Sequence, residues 1–421
     1  MTTRRLEQGT SDPISYECTC PAREQGSGGK VLLFYRYFAN QPAIPTPTSE
    51  QVEELASWHR AITSRLEITG KIRVAVEGFN VTVGGTDFAI EEYISACTTH
   101  WSFARLALSS EEERKAFFKP SPGCACVFNP ATDASVRVCA EITPLGITNY
   151  APLSWQVVAE LAPAEFHRRC YEENIELLDL RNHYESRIGY FVDPRTRSPA
   201  VRPQIRRFSQ FPRYYKAAYL RDSPTPTGEG ESQRQILTYC TGGIRCEKAT
   251  RWMAERDDAT VGVNRQICTL RGGIAAYLDW VDEEIAAGRM TADDSLFKGK
   301  NYVFDARGAM SLDEASHDPV SQCHVCGKAE DRLSKCRTSR CHLVLVVCAD
   351  CEEKDPTCCE SCREGSAAVD GTTKAREMCE CEKQREYSLW GPELPKLPKM
   401  QTSRRAKTNK HGLNNPVRVI E

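Results

Sequence analysis

The stretch that decides the fold is Tyr239-Cys-Thr-Gly-Gly-Ile-Arg-Cys-Glu-Lys248. It follows a β-prone run, 235–239, and leads into a helical pattern over residues 246–256. A glycine loop between a strand and a helix directs several backbone N–H groups into one concavity, and the helix N-terminus adds roughly half a positive charge. A cysteine at the mouth of that cradle, Cys240, is therefore predicted to have a lowered pKa and to react as the thiolate.

The other residues of the loop have supporting roles in this interpretation. Arg245 is the second predicted catalytic residue, because its charge stabilises anionic forms of Cys240. Cys246 begins the helix and is interpreted as a packing residue or, alternatively, as a resolving thiol. A buried cysteine beside a tight turn is the alternative interpretation of Cys240 itself. The remaining residues of the predicted active-site loop are Thr241, Gly242, Gly243 and Ile244.

Length and composition restrict the class of protein. The 421 residues suggest about two to four domains, and the formal net charge of −2 excludes a globally basic polyanion-binding protein. The longest apolar run, 343–349, is far shorter than the roughly 20 residues of a membrane-spanning helix, so no membrane partner is expected. The N-terminus has no apolar signal core. These features predict a cytoplasmic protein.

The chain is predicted to begin with a disordered leader, 1–29, and a compact α/β domain, 30–145. Hydrophobic alternation and helix-capping residues give this domain the order β-α-β-β-α-β, with its last strand at 101–108. That order is typical of a ferredoxin-like split βαβ fold, the fold class to which acylphosphatase-like domains belong.

Three further regions are predicted after residue 145. Residues 146–292 alternate strands and helices, which indicates a doubly wound parallel sheet. Residues 293–365 contain a cluster of cysteines, and residues 366–421 form a basic, mostly disordered tail. The charge of the tail is interpreted as a solvated surface, with a nucleic-acid-binding arm or a nuclear signal as the alternatives.

Nine of the 21 cysteines lie between Cys323 and Cys362. Their spacing contains three C-x2-C pairs and one C-x4-C pair, which supply eight thiolates and leave Cys358 over. Eight thiolates suit two structural zinc ions with four cysteines each, in sequential or interleaved pairs, and metal would supply much of the folding free energy of so short a segment. Reduced core cysteines are the alternative. The predicted ligands are Cys323, Cys326, Cys336, Cys341, Cys348, Cys351, Cys359 and Cys362.

Residues 195–221 contain eight Lys or Arg residues, no acid, and several interleaved aromatic residues. Cations for phosphates and aromatic faces for unstacked bases are what single-stranded RNA requires of a protein. A solvated insertion whose aromatic residues pack on the domain is the alternative. The predicted RNA contacts are Arg202, Arg206, Arg207, Arg213 and Lys216.

The loop 240–248 resembles the active-site loop of rhodanese domains, in the branch found in the bacterial tRNA uridine hydroxylase family. Its six residues from Cys240 to Arg245 are one fewer than in the related dual-specificity phosphatases, which argues against a phosphatase. Tyr190 stands where rhodanese domains usually have His. Residues 178–185 and 188–191 resemble the rhodanese Asp-x-Arg…Glu…Gly-His segment, and residues 270–274 resemble its closing Gly-Gly turn. Residues 73–80 and 303–307 resemble segments of the hydroxylase branch.

The resemblance implies a rhodanese domain over 146–292, in which Cys240 carries a persulfide and Asp179, Arg181 and Cys246 support it. The implied activity is oxygen-dependent hydroxylation of a tRNA wobble uridine to 5-hydroxyuridine. One alternative is a sulfurtransferase that moves sulfane sulfur from thiosulfate to a thiol acceptor. The other is a zinc-stapled RNA or protein adaptor, against which the intact loop argues. No motif for an organic cofactor is evident, so zinc is the expected cofactor.

Overall fold

The computed structural model describes residues 28–128, 132–147, 149–220, 234–260, 265–312, 318–338, 341, 343–364 and 379–384. The predicted leader up to residue 27 lies outside these residues, as does most of the predicted basic tail. None of the described helices is long and apolar enough to cross a membrane.

The first sheet has five strands in the order β4-β1-β3-β2-β5. Neighbouring strands are antiparallel, except that β5 runs parallel to β2. Its strands are β1 (Gly29–Tyr37), β2 (Thr69–Ala75), β3 (Gly78–Thr86), β4 (Ser121–Pro122) and β5 (Ser135–Val138). The accompanying helices are α1 (Ser49–Arg65), α2 (Asp87–Thr99) and α3 (Glu111–Phe118). Thr48 begins α1 with a capping box, as its sequence predicts.

The prediction of a strand at 101–108 is wrong. Trp101–Phe103 form a short 3-10 helix, and the fourth strand position is taken by β4. The alternating apolar residues of this segment fill the core instead of a sheet face, since Phe103 is buried with its ring centroid 4.9 Å from that of Phe79.

The second sheet is parallel, with the strand order β6-β10-β9-β7. Apolar residues of β9 alternate between two separate cores. Ile236 packs on the face covered by α6 (Ile244–Asp258), and Leu237 packs on the face covered by α4 (Pro163–Arg169) and α7 (Gly273–Ala286). The elements of this region are β6 (Ala159–Leu161), α4 (Pro163–Arg169), β7 (Ile175–Asp179), β8 (Gly189–Phe191), α5 (Phe211–Tyr215), β9 (Arg234–Tyr239), α6 (Ile244–Asp258), β10 (Arg265–Leu270) and α7 (Gly273–Ala286).

The cysteine-rich region follows and is joined to the second sheet region, because β11 pairs with β8. Its own core consists of cysteines together with Leu343, Leu345 and Val347. The elements are β11 (Phe297–Gly299), β12 (Asn301–Tyr302), β13 (Ala309–Met310), β14 (Leu333–Lys335), β15 (Val344–Val346), α8 (Ala349–Glu352) and α9 (Glu360–Glu364).

Candidate functional site

Cys240 directly follows β9, and the loop after it leads into α6. Its Sγ accepts a hydrogen bond of 3.2 Å from the backbone N–H of Gly243, and the side chain is fully buried. Gly243 has a φ of 99°, which favours glycine at this bend. The turn at Gly272 and Gly273 lies against the loop, since the N–H of Ile274 donates to the carbonyl of Cys240 at 2.9 Å. The loop therefore forms the predicted cradle.

The environment of Cys240 favours the thiolate. Burial by itself would raise the pKa of Cys240, but the Cys246 thiol, the Arg245 charge and the backbone N–H groups of Cys246 and Arg245 lower it to about 6. The pKa of the Cys246 thiol is raised well above its usual range by burial and by the neighbouring Cys240. Cys246 is therefore the neutral donor of the pair, and Cys240 is the anion at neutral pH.

Arg245 is held by a residue that the sequence analysis did not single out. Its guanidinium donates to both carboxylate oxygens of Glu185, at 2.7 and 2.6 Å, and to the hydroxyl of Thr241 at 3.2 Å. Glu185 is fully buried. Arg245 thus braces the loop through Glu185, and its charge acts on Cys240 through space. Glu185 lies in the segment 178–185 that resembles rhodanese domains. This resemblance was the feature of the sequence that could have identified Glu185 as a site residue.

Asp179 and Arg181 form a second buried ion pair next to the loop. Arg181 donates to the Asp179 carboxylate at 2.7 Å and to the carbonyl of Gly189 at 2.5 Å, and both side chains are fully buried. Asp179 is the register partner of Tyr239, the residue before Cys240. The pair therefore fixes the ends of β7 and β9, from which the loop emerges.

A cavity of about 620 Å³ lies between the first sheet and the loop region. Tyr35 and Lys119 line it from one side, and Glu247 and Gly272 line it from the other. The two sides are in direct contact, because the Tyr37 hydroxyl donates to the carbonyl of Ile244 at 3.2 Å. The volume falls in the range of small-molecule sites.

Titratable groups in this cavity have shifted pKa values. Burial raises the pKa of Glu247 to about 7, assisted by the negative charge of Glu160. Glu247 accepts a hydrogen bond from Asn40 and also contacts the Tyr35 hydroxyl. Burial lowers the pKa of Lys119, whose ammonium lies 5.3 Å from the centre of the Tyr35 ring, to about 8. Groups that gain or lose a proton near neutral pH are typical of functional sites.

A buried lysine joins the two sheet regions beside the loop. Lys248 on α6 is fully buried, and its ammonium donates to Glu77 at 2.8 Å and to Glu141 at 2.6 Å. Glu77 belongs to the stretch 73–80 that resembles the hydroxylase family. That stretch therefore contributes to the site by orienting the first sheet against the loop.

The structure divides the predicted RNA contacts into two groups. Arg206 pairs with Glu382 and donates to the carbonyl of Cys341 at 3.0 Å, and Arg202 lies 4.2 Å from the centre of the Tyr190 ring. Arg207, Arg213 and Lys216 are exposed. The expectation that the interleaved aromatic residues offer stacking faces is wrong for the buried ones, Phe208, Phe211 and Tyr215, which pack in the domain core.

The cysteines of the C-terminal region form groups that could bind metal. One group contains Cys323, Cys326, Cys348 and Cys351, and a second contains Cys336, Cys341, Cys358 and Cys362, with the sulfurs of each group within 4.8 Å of one another. Pairs of cysteines close in sequence alternate between the two groups, in the order 323/326, 336/341, 348/351 and 358/362, so the groups are interleaved along the chain.

The second group includes a cysteine that was not among the predicted ligands. This is Cys358, which the spacing left over and whose Sγ lies 3.6 Å from that of Cys341. The Cys359 sulfur lies instead 3.2 Å from the Ser361 hydroxyl. It belongs to a third group, with Cys358, Cys362 and Cys379.

Two family models match this chain. A UPF0176 acylphosphatase-like domain matches residues 29–121, and a rhodanase C-terminal model matches residues 298–363. Among solved structures, one match is a Saccharomyces cerevisiae homologue of single-domain rhodanese, with 16% sequence identity. The match covers 32% of this chain and 88% of the yeast chain. Its TM-score of 0.24 is too low for a comparison of folds.

Curated relatives match most of the chain. The tRNA uridine(34) hydroxylase of Leptospira interrogans is 29% identical over 339 residues, which cover 80% of this chain and 77% of that protein. The enzyme of the same name from Bacillus mycoides is 29% identical and covers 79% and 89%. Rhodanese-like domain-containing protein 6 of Arabidopsis thaliana is 30% identical, and the match covers 79% of this chain and 52% of that protein. These matches bear out the resemblance: over about four fifths of its length, the chain is similar to tRNA uridine(34) hydroxylases.

Proposed function

We propose that this protein hydroxylates carbon 5 of the wobble uridine of tRNA through Cys240. The observation that carries the proposal is a buried cysteine whose Sγ accepts a backbone N–H in the glycine loop, an environment that lowers its pKa to about 6. This cradle adjoins a cavity with room for a nucleotide, in a chain that matches tRNA uridine(34) hydroxylases over about 80% of its length. A tRNA substrate is consistent with a cytoplasmic location.

The reaction begins with attack on the pyrimidine ring. The Cys240 sulfur, or its persulfide, forms a bond to carbon 6, and the electron pair of the C5–C6 double bond moves to carbon 5 and O4. Carbon 5 takes one oxygen atom from O2, and the other oxygen atom leaves as water with two electrons and two protons from a thiol reductant. Loss of the carbon 5 proton and cleavage of the bond between carbon 6 and sulfur then restore the ring and release the attacking group, the thiolate or the persulfide anion of Cys240.

The cavity residues have the charges that these steps require. Lys119 has a pKa of about 8 and stabilises the negative charge that develops on O4. Glu247, with a pKa of about 7, accepts the proton that leaves carbon 5. Arg245 and Glu185 are positioning residues, since their ion pair holds the loop and the Arg245 charge lowers the pKa of Cys240.

The burial of Cys240 favours the persulfide as the reacting form. It forms when the Cys240 thiolate takes the sulfane sulfur of thiosulfate and sulfite leaves. The space above Gly242 is closed by Leu33, which would lie 3.1 Å from an added Cβ. A persulfide places its outer sulfur about 2 Å further out. A sulfurtransferase that uses thiosulfate would pass through the same persulfide, so the experiment below distinguishes the two activities by product.

We assign the remaining regions as follows. Residues 30–145 form a ferredoxin-like domain, as the strand order β4-β1-β3-β2 supports, and residues 146–292 form the rhodanese domain. Residues 293–365 bind structural zinc at the two interleaved cysteine groups, where four thiolates leave no open position for water. Arg207, Arg213 and Lys216 contact tRNA phosphates.

The test is incubation of the purified protein with an anticodon stem-loop that contains uridine at position 34, under ¹⁸O₂ and with thiosulfate and a thiol reductant. The proposal predicts 5-hydroxyuridine that carries ¹⁸O with wild-type protein and none with Cys240→Ser. A stem-loop with cytidine at position 34 is the matched control. Sulfur transfer from thiosulfate without any hydroxylated nucleoside would replace the proposal by the sulfurtransferase alternative.

A further inference from the structure

We infer that the open face of the first sheet, opposite its buried core, binds the unpaired nucleotides next to the reacting uridine. Phe304 stacks on one of their bases, and Lys71, Arg73 and Arg137 bind their phosphates. The inference rests on the proposed hydroxylation of tRNA. It adds an RNA-binding surface separate from the exposed cations of residues 207–216.

The cations lie on the side of the sheet that the core does not use. Along β2, Ile72 and Val74 are buried in the core, whereas the alternate residues Lys71 and Arg73 are exposed. Arg137 of β5 is also exposed, and it is the register partner of Arg73. Alternate residues of a strand lie about 6.6 Å apart and neighbouring strands about 4.8 Å apart. The three cations therefore form one compact group.

The positive charge of this group is not neutralised by ion pairs. Neither Arg73 nor Arg137 forms one with any residue that the structure describes. Asp305, an acid whose charge acts on Lys71, is held by Arg307 in an ion pair of 2.6 Å. Like charges on neighbouring strands repel each other and destabilise a sheet. A polyanion bound to this face would offset that repulsion.

Phe304 connects the cationic face with the loop that carries Cys240. It lies between β12 and β13, and its carbonyl accepts a hydrogen bond of 3.4 Å from the Lys71 ammonium. The centre of its ring lies 5.9 Å from the guanidinium carbon of Arg245 and 4.9 Å from the centre of the Tyr302 ring. The side chain is 43% exposed. An aromatic ring is therefore held beside the active-site loop and is partly open to solvent.

The backbone that carries Phe304 is fixed to the first sheet region. The N–H of Ala306 donates to the carbonyl of Val127 at 2.9 Å. Arg307 donates to the carbonyl of Pro122 at 2.8 Å. Because these contacts hold the ring in place before a ligand arrives, less conformational freedom is lost on binding.

The cationic face is also continuous with the residues that cover the loop. Thr82 of β3 is the register partner of both Leu33 and Lys71, so these three residues lie in one row across the sheet. Leu33 covers Gly242 of the loop. The row spans two strand spacings, or about 10 Å. A uridine that reacts at Cys240 therefore has its neighbouring nucleotides within reach of the cations.

An exposed aromatic ring beside a group of cations suits single-stranded RNA. Aromatic rings stack on unpaired bases, and Lys and Arg side chains bind the phosphates. The substrate of the proposed reaction supplies such a strand, because the wobble uridine lies in the unpaired anticodon loop. An acidic protein segment would use the cations but would leave the ring without a stacking partner.

The stacking role is tested by comparing the affinity for an anticodon stem-loop with that for the same stem as a duplex without its loop. Fluorescence anisotropy without oxygen measures binding in the absence of turnover. Phe304→Leu should weaken binding of the stem-loop by about fivefold or more, because a stacked base is lost, and should leave binding of the duplex unchanged. Phe304→Trp should bind both RNAs as wild type does. Phe88→Leu, which changes an exposed phenylalanine of α2, is the matched control.

The phosphate contacts are tested by the salt dependence of the affinity for the stem-loop. Arg73→Gln combined with Arg137→Gln should lower the slope of log affinity against log salt by about 0.7 for each phosphate that is no longer neutralised. The control combines Arg60→Gln and Arg65→Gln, which remove two exposed cations of α1, and should keep the slope of wild type.

Three results would overturn the inference. They are wild-type affinity of Phe304→Leu for the stem-loop, an equal loss for the stem-loop and the duplex, and equal slopes for the two arginine variants. Binding of polyglutamate as tightly as the stem-loop would assign the face to an acidic protein segment instead. A wild-type protein that binds RNA as predicted but forms no 5-hydroxyuridine would overturn the proposed function and not this surface.

Discussion

Arg245 and Glu185 face each other through two parallel hydrogen bonds of 2.7 and 2.6 Å beside the loop that carries Cys240. Both side chains are buried, so each is the partner that allows the other to remain charged. The reactive loop therefore depends on an ion pair whose two members are 60 residues apart in sequence.

This pair predicts a large coupling free energy. Glu185→Ala leaves the Arg245 charge buried without its partner, and we expect a loss of about 3–5 kcal/mol in the free energy of unfolding. Glu185→Ala combined with Arg245→Ala should cost less than the sum of the single changes, by about 1–3 kcal/mol. Urea unfolding of the four proteins measures this coupling. The exposed pair Arg168 and Glu165 is the control, with an expected coupling below about 1 kcal/mol. Additive effects at Glu185 and Arg245 would contradict the prediction.

The pKa of Cys240 predicts the pH dependence of its reactivity. Because the folded pKa is about 6, compared with 9.0 for an ordinary thiol, the thiolate should form as the pH rises through about 6. The ultraviolet absorbance of the thiolate, taken as the difference between wild type and Cys240→Ser, measures this titration. The depressed pKa also stabilises the fold above pH 9, and this contribution is lost as the pH falls through 6. A midpoint near 9 would contradict the described environment of the loop.

Glu247 predicts an opposite effect on stability. Its pKa rises from 4.5 to about 7 on folding, so its contribution is fully present below pH 4.5 and is lost as the pH rises through 7. Glu247→Gln keeps an acceptor for Asn40 and removes the ionisation. We compare the free energy of unfolding of the variant with that of wild type at each pH. Between pH 4 and a pH above 7, this difference should shift in favour of the variant by on the order of 1–3 kcal/mol. Equal pH profiles for the two proteins would show that Glu247 is not the titrating group.

The exposed cations of residues 207–216 predict how the protein contacts RNA. Changing Arg207, Arg213 and Lys216 to Glu should weaken tRNA binding and lower the salt dependence of the affinity, by roughly one unit of slope for each phosphate that is no longer neutralised. Fluorescence anisotropy with labelled tRNA over a series of salt concentrations measures both. The control carries Arg60→Glu, Arg65→Glu and Arg105→Glu, which alter the same number of exposed cations in the first sheet region. Equal losses of affinity in both variants would show that only net charge matters.

Local sequence was enough to predict the loop, the strand before it and the helix after it. Cys240, the glycines and the helix start are contiguous, and their chemistry depends on backbone geometry that a strand–loop–helix junction imposes. The parallel sheet followed from alternating elements in the same way.

Features that depend on distant packing were not predictable from the sequence. Tyr35 and Lys119 reach the cavity from a different sheet region, and nothing near them in sequence resembles an active site. Cys358 and Cys359 are adjacent, so only their side-chain directions decide which one joins Cys341. Arg206 lies in the basic run that is predicted to contact RNA, and its ion pair with Glu382 joins residues 176 apart in sequence.

Nucleoside mass spectrometry of total tRNA tests most directly whether this protein hydroxylates a tRNA uridine through Cys240. Cells that lack the protein are complemented with wild type, with Cys240→Ser, or with Cys170→Ser, a buried cysteine of the same region that serves as control. We predict that nucleosides derived from 5-hydroxyuridine are present with wild type and Cys170→Ser and are lost with Cys240→Ser and in the deletion. Unchanged nucleosides in the Cys240→Ser cells would contradict the account.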